Sequence, residues 1–360
     1  SWMAVTCCVM GKALGLPVFV KMTGNTELVG GALDPNGNWL ASIKRKGLSL
    51  ATGYQVISSE IERAISLVGL PPEKTLRIAN AVDLDTFGLR YRDGPGVRKG
   101  AKTAKSKAKP IDPSQPALGQ TGMVELDAIS PAFLDSNLLS GVPSSIAATT
   151  APGDQTPIFA PSGRRITALR QELCPGSEFV VLYSGRLEPI KRIDLLLRAW
   201  RDALAHDKGA WLVLVGGGSL LTELQSQATR YGIDDRVLFV GHVTRIADYI
   251  HAADILALVS DSEGLSNAML EGMSGGLPVL GSRISGTEDF VTDNETGWLF
   301  PPGDLSALTR QLAAARATPA RRLVKMSRAA HDEIVERASV QAVTRALLDV
   351  YAQQGSRADT

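Results

Sequence analysis

Strand-length apolar runs alternate with segments of helical spacing through the second half of this 360-residue chain, and that alternation restricts the fold more than any other feature. Phe179 to Tyr183, Trp211 to Val215, Val237 to Val240, Ile255 to Val259 and Leu277 to Leu280 are nearly continuous apolar runs, as expected of strands buried on both faces. After the first of them, Ile193, Leu196, Leu197 and Trp200 recur at helical spacing. Such repetition calls for right-handed crossovers and a parallel sheet covered by helices on both sides. The expected class is α/β, and with 44% hydrophobic and 21% charged residues the chain can fill two ordinary cores.

The chemistry-bearing residues fall at the ends of these strands. Following Phe179 to Tyr183 the chain turns at Gly185, which puts Arg186 at the carboxyl end of a strand and Lys191 at the opening of the next helix. Open α/β sheets bind ligands there. Two cations in that place suit phosphate groups, although a surface Arg and Lys near a helix start are common. Residues 261 to 281 set two carboxylates, Glu263 and Glu271, on either side of a helix start opened by Gly264. Gly264 lets a ligand approach the backbone, and the first N–H groups of the helix have no partner inside it. Those donors and the helix dipole favour an anion such as a diphosphate. Glu263 just before the helix, and Glu271 about two turns into it, can accept bonds from ligand hydroxyls. The competing reading is an amphipathic helix packed through Leu265, Met269, Leu270 and Met273 with two solvated glutamates.

In combination these segments resemble glycosyltransferase family 4. The resemblance is carried by Gly185-Arg186-Leu187 with Lys191, and by the Glu263 to Glu271 frame with Leu265, Ser266 and Asn267. It continues through Gly276-Leu-Pro-Val, Gly286 with Glu288, and Thr296-Gly-Trp-Leu-Phe-Pro-Pro-Gly-Asp. Ile78-Ala-Asn-Ala-Val-Asp is similar to the family's Ile-Pro-Asn-Gly-Val-Asp, departing from it at Ala79 and Ala81. The likeness covers roughly residues 16 to 90 and 177 to 352. It implies a GT-B fold with two Rossmann-like parallel-sheet domains, and retaining transfer of a sugar from a UDP- or GDP-type donor to an acceptor hydroxyl.

The resemblance also implies roles. Arg186 and Lys191 would neutralise charge growing on the departing diphosphate. Glu263 would hold a sugar hydroxyl and stabilise the oxocarbenium-like centre, and Glu271 would accept from the ribose. Gly185, Gly264, Leu265, Ser266 and Asn267 would surround the diphosphate. The loops Leu214-Val-Gly-Gly-Gly-Ser and Val240-Gly-His-Val would line the nucleotide pocket through Gly217, His242 and Val243, with His242 either packed near the base or merely exposed. No metal or other cofactor is expected. The three glycines lack the Gly-x-Gly-x-x-Gly spacing and the later acidic residue of a dinucleotide site.

Four segments are expected. Residues 1–90 read as a partial, acceptor-side Rossmann-like domain, with strands at Val18 to Met22, Tyr54 to Ser58 and Leu76 to Ile78 and a helix from Glu60 to Val68. The apolar first 22 residues are broken by Lys12 and Gly15-Leu-Pro into a helix and a strand, which argues against a membrane span. The chain begins at Ser1, and its four histidines, His206, His242, His251 and His331, all lie in the second half. The family's glycine-rich first loop and first-domain histidine have no counterpart, so the start of this domain is expected to be missing. Residues 91–165, basic and then rich in Pro, Ser and Thr, read as a disordered insertion. Residues 166–336 form the nucleotide-sugar domain. Residues 337–353, with Val340, Val343, Leu347, Leu348 and Tyr351 on one face, form a helix crossing back to the first domain.

The basic run with Arg98, Lys99, Lys102, Lys105, Lys107 and Lys109 could touch anionic headgroups at about 1 kcal/mol per charge, but a solvated linker accounts for it without an amphipathic anchor. It lacks aromatics for stacking on bases, and a net charge of +1 gives no reason to expect nucleic acid. Cys7, Cys8 and Cys174 are odd in number and fit a reducing, cytoplasmic setting, with peripheral contact at the inner membrane face as the variant of it. Three other functions fit parts of the pattern: a nucleotide-sugar binder without turnover, a GT-B epimerase, which would need its own acid and base in the cleft, and a NAD-dependent enzyme.

Overall fold

The computed structural model describes residues 2–23, 28, 30–88 and 163–358. The first stretch builds a small parallel sheet. Its order is α1 (Trp2–Leu14), β1 (Phe19–Met22), α2 (Trp39–Leu48), β2 (Gly53–Val56), α3 (Ser59–Leu67), β3 (Thr75–Arg77) and α4 (Leu84–Phe87). The strands lie side by side as β1-β2-β3, with Val20 opposite Tyr54 and Gln55 opposite Leu76. All three occur where their apolar runs foretell them. Helix α2 is a correction, because that stretch reads as glycine-rich and polar loop. Asn38 starts it by accepting a bond from the backbone N–H of Ala41 at 3.2 Å, a side-chain N-cap.

The second stretch runs α5 (Gly163–Leu173), β4 (Phe179–Ser184), α6 (Ile193–Leu204), β5 (Ala210–Val215), α7 (Leu221–Tyr231), β6 (Val237–Gly241), α8 (Ile246–Ala252), β7 (Ile255–Leu258), α9 (Asn267–Ser274), β8 (Val279–Ser282), α10 (Ser285–Glu288), β9 (Gly297–Phe300), α11 (Leu305–Arg316), α12 (Ala320–Arg337) and α13 (Val340–Ala358). Six parallel strands take the order β6-β5-β4-β7-β8-β9. Winding proceeds outward from β4 to β6 and then restarts at β7 on the other side. The gap between the carboxyl ends of β4 and β7 is therefore the switch point at which such sheets bind ligands. Strand β9 lies within the Thr296-Gly-Trp-Leu-Phe motif and goes beyond the five strands expected.

Alternation along each strand divides the sheet into two cores. Val180 and Leu182 of β4, with Val213 and Val215 of β5, face the layer that includes Met269, Leu270 and Met273 of α9. Phe179, Val181 and Tyr183, with Leu212 and Leu214, face Leu196 and Trp200 of α6 and Leu308 and Leu312 of α11. Ile193, Leu196, Leu197 and Trp200 are fully buried, so the helical spacing seen in the sequence is the buried stripe of α6.

Both sheets belong to one compact unit made of residues 1–91 and 161–360. The backbone N–H of Ser59 donates to Asp289 Oδ2 at 2.9 Å, and that of Glu60 to Ser285 Oγ at 2.8 Å. Asp289 also pairs with Arg77 of β3. Val82 and Ser339 form a β-bridge, and Tyr351 of α13 meets Phe19 of β1 edge to face, with ring centroids 5.1 Å apart.

Some boundaries move. Helix α5 begins at Gly163, ahead of residue 166. The last helix begins at Val340, since residues up to Arg337 complete α12. The insertion assigned to 91–165, its basic run included, lies outside the described residues up to 162. Among the described residues no helix is long and apolar enough to cross a membrane, and Cys7, Cys8 and Cys174 are free.

Candidate functional site

Two loops meet over the switch point. The first leaves β4 through Gly185 and Arg186, passes a single 3-10 turn at Pro189–Lys191, and enters α6 at Ile193. The second leaves β7 through Ser260 to Gly264 and enters α9 at Asn267. Lys191 Nζ donates to Glu263 Oε1 at 2.8 Å across the gap, with the two side chains 15% and 22% exposed. Buried Ser260 donates to the other oxygen of Glu263 at 3.4 Å. Both carboxylate oxygens of Glu263 are thereby oriented.

Arg186 behaves differently from Lys191, although the sequence presents them as a matched pair. Its side chain is exposed and has no ion-pair partner among the described residues. Its loop is closely fastened to the glycine loop after β5. Gly185 N–H donates to Val215 O at 3.0 Å, and Leu187 N–H to Gly217 O at 2.8 Å. Glu188 receives Ser219 N–H at 3.1 Å and Ser219 Oγ at 2.7 Å. Those bonds hold its carboxyl below the usual carboxylate range. Gly216 has φ +128°, and a Cβ there would lie 2.0 Å from Gly185 O. A side chain at 216 would therefore push the Arg186 loop away. Gly217 lies against exposed His242, whose Nε2 would be 2.7 Å from a Cβ at 217, with half-buried Val243 following.

The second loop needs a similar close approach. A Cβ on Gly286 would fall 1.8 Å from Gly264 O, so α10 can lie against the loop only because residue 286 is glycine. Gly264 also reaches the first sheet, where a Cβ would meet Thr23 O at 3.3 Å and Ile61 Cδ1 at 3.6 Å. Leu265 and Ser266 are buried and Asn267 is exposed. Asn80, from the loop after β3, donates to Asn267 Oδ1 at 3.0 Å.

The helix start needs a correction. Helix α9 begins at Asn267 rather than Gly264, and Ser266 occupies the cap position without a side-chain bond to the helix. Glu271 is accordingly about one turn into α9. Its carboxyl is half-buried and has no hydrogen-bond or ion-pair partner among the described residues. Burial alone pushes its pKa up to about 7. The structure thus brings Gly185, Arg186, Lys191, Glu263, Gly264, Leu265, Ser266, Asn267 and Glu271 to one switch point, with Gly217, His242 and Val243 on the adjoining β5 and β6 loops. Sequence reading missed Ser260, Glu188 and Asn80 as members of this neighbourhood. The Asn-x-Val-Asp resemblance around Asn80 was the available signal. Among the described residues, no group of three His, Cys, Asp or Glu side chains gathers as a metal cluster would.

Residues 165–332 match the family model described as glycosyl transferases group 1. The D-inositol 3-phosphate glycosyltransferase of Saccharomonospora viridis is 32% identical over 217 residues, which are 57% of this chain and 49% of that protein. The lipopolysaccharide core biosynthesis glycosyltransferase LpsE of Rhizobium meliloti is 29% identical over 197 residues, 54% of this chain and 56% of its own. The chain spans about half the length of these curated relatives. Among solved structures, Anabaena HepE in complex with UDP superposes with a TM-score of 0.68 at 18% identity, over 97% of this chain and 76% of HepE. That likeness shows the fold, which is GT-B, built on two Rossmann-like parallel α/β sheets.

Proposed function

We propose that this chain carries the donor site of a retaining glycosyltransferase that moves a sugar from a nucleoside diphosphate sugar, of UDP or GDP type, to an acceptor hydroxyl. The observation that carries the reading is the carboxyl of Glu271. Desolvation raises its pKa to about 7, and it has no partner among the described residues. A polar group in that state represents interaction free energy left unused, and a pair of ribose hydroxyls would recover it by donating to both oxygens. The match to group 1 glycosyl transferases over residues 165–332 and the UDP held by HepE support the same ligand class.

In this reading the diphosphate lies over the first N–H groups of α9, at Asn267 and the residues after it, where the helix dipole favours negative charge. Arg186 comes to it from the facing loop. Lys191 shares its charge between Glu263 and the leaving phosphate, so that Glu263 becomes more available to the sugar as the glycosidic bond breaks. An acceptor hydroxyl attacks on the face that the diphosphate leaves, passing its proton to a phosphate oxygen. The glycosidic bond breaks as the new bond forms, and the nucleoside diphosphate departs. Arg186 and Lys191 supply the positive charge that a divalent ion would otherwise bring, and turnover is expected to survive chelation.

Calorimetry with UDP, GDP and NADH on the wild type and Glu271→Ala tests the site. A nucleoside diphosphate should bind and weaken markedly in the variant. Binding of NADH with neither diphosphate would remove the reading. Transfer from a labelled donor then distinguishes a transferase from a binder without turnover.

A further inference from the structure

Tyr183, the fifth residue of β4, lies directly beneath the cation loop and belongs to none of the motifs that describe the site. Its ring is 1% exposed and packs in the core layer of Phe179 and Val181. Its hydroxyl donates to the backbone carbonyl of Arg186 at 2.7 Å. Burial, reinforced by the charge of Glu263, pushes the phenol well above its usual range, so it remains a neutral O–H donor throughout the working pH range. The residues on either side of Arg186 are also fixed, through Gly185 N–H to Val215 O and Leu187 N–H to Gly217 O. With the guanidinium unpaired among the described residues, the backbone that bears it is what fixes where the side chain starts from.

We infer that Tyr183 is a positioning residue for Arg186: the bond from its phenol to the Arg186 carbonyl holds that peptide so that the guanidinium points to the diphosphate before a ligand arrives. This rests on the reading of Arg186 as a diphosphate ligand. Preorganisation of this kind lowers the ordering cost of binding and keeps the charge in place as the bond breaks. Without the hydroxyl, the Arg186 carbonyl could turn and the side chain would sample directions away from the site.

The test is a double-mutant cycle on the whole chain, read by calorimetry with UDP and GDP and paired with thermal unfolding. Tyr183→Phe removes one oxygen and leaves the ring in the core. Arg186→Ala should weaken nucleoside diphosphate binding by roughly tenfold, and Tyr183→Phe by about three- to fivefold. Tyr183→Phe made in the Arg186→Ala background should cause no further loss of binding, while lowering thermal stability as much as it does alone. Equal loss of affinity in both backgrounds would mean general loosening and would overturn the inference. So would wild-type affinity in a folded Tyr183→Phe. A wild type that binds neither diphosphate would instead overturn the donor-site reading, a different result from intact binding with two uncoupled residues.

Discussion

The ammonium of Lys191 lies 2.8 Å from Oε1 of Glu263, which joins the loop after β4 to the loop after β7 across the point where strand order reverses. Each group orients the other. An incoming diphosphate competes with Glu263 for Lys191, and a sugar hydroxyl competes with Lys191 for Glu263.

That competition predicts unequal effects of the two truncations. Lys191→Ala removes charge acting on the leaving group and should lower kcat by roughly 10²–10³-fold. It also leaves Glu263 partly buried beside Ser260 alone, so thermal stability should fall by about 1–2 kcal/mol. Glu263→Gln keeps an acceptor oxygen and frees Lys191 for phosphate. Affinity for UDP or GDP should therefore hold or rise while transfer falls. Steady-state kinetics and calorimetry on both variants check this, and weaker diphosphate binding in Glu263→Gln would contradict the competition.

Glu271 predicts a pH signature. Its folded pKa of about 7 exceeds the ordinary value of 4.5, so the proton is bound more tightly in the folded state. The associated stability is fully present below about 4.5 and is lost as pH rises through about 7, a change of up to about 3 kcal/mol. Glu271→Gln should flatten the dependence of unfolding free energy on pH in that window. Hydroxyls donating to the carboxylate favour its charged form, so nucleotide binding at pH 7 should release about half a proton from the wild type and none from Glu271→Gln. Calorimetry in buffers of different ionisation enthalpy measures that release.

The alternation of apolar runs and helical spacing foretold five strands of the larger sheet and their parallel sense, because burial on both faces imposes that pattern directly. Strand β9 was not singled out because its apolar run is short, Gly297 to Phe300, and directly follows the turn residues Asn294 to Thr296. Helix α2 was hidden for another reason: Lys44, Arg45, Lys46 and Gly47 interrupt its apolar face, and its surest mark is the Asn38 cap, a signal carried by one residue. In the site, residue types and spacing gathered the cations and carboxylates. They did not distinguish paired Lys191 from Arg186, which has no ion-pair partner among the described residues, because pairing depends on how far apart two strand ends lie. The start of α9 was misplaced since Gly264 lies against Thr23 O and Ile61 of the first sheet's layer rather than opening the helix.

Gly216 offers a steric test of the loop geometry. A Cβ at this position would lie 2.0 Å from Gly185 O, in a backbone conformation at φ +128° that L side chains rarely adopt. Neither atom belongs to a flexible side-chain end, so the β4 and β5 loops must separate. Gly216→Ala should cost about 1–3 kcal/mol in stability and weaken diphosphate binding as much as Arg186→Ala does. Gly176→Ala is the control, because φ there is +71° and the added Cβ meets open space. It should show the conformational cost while leaving nucleotide affinity unchanged.

Asp289 ties the two sheets together, and its replacement should loosen them without touching the donor site. Its Oδ2 accepts from Ser59 N–H at 2.9 Å while the carboxylate also pairs with Arg77. The side chain is 7% exposed. Asp289→Ala strands the Ser59 N–H at the start of α3 and leaves Arg77, which is 41% exposed, with Glu62 as its remaining ion-pair partner, and should cost about 1–3 kcal/mol. Asp289→Asn keeps an acceptor for Ser59 and should recover part of that loss. Because Arg186, Lys191, Glu263 and Glu271 all lie on the larger sheet's side, UDP or GDP affinity should change less than twofold in either variant, a difference of about 0.4 kcal/mol. Thermal unfolding, small-angle scattering and calorimetry separate these effects. A large loss of nucleotide affinity in a folded Asp289→Asn would show that the first sheet takes part in holding the donor, through Thr23 beside Gly264 and Asn80 beside Asn267.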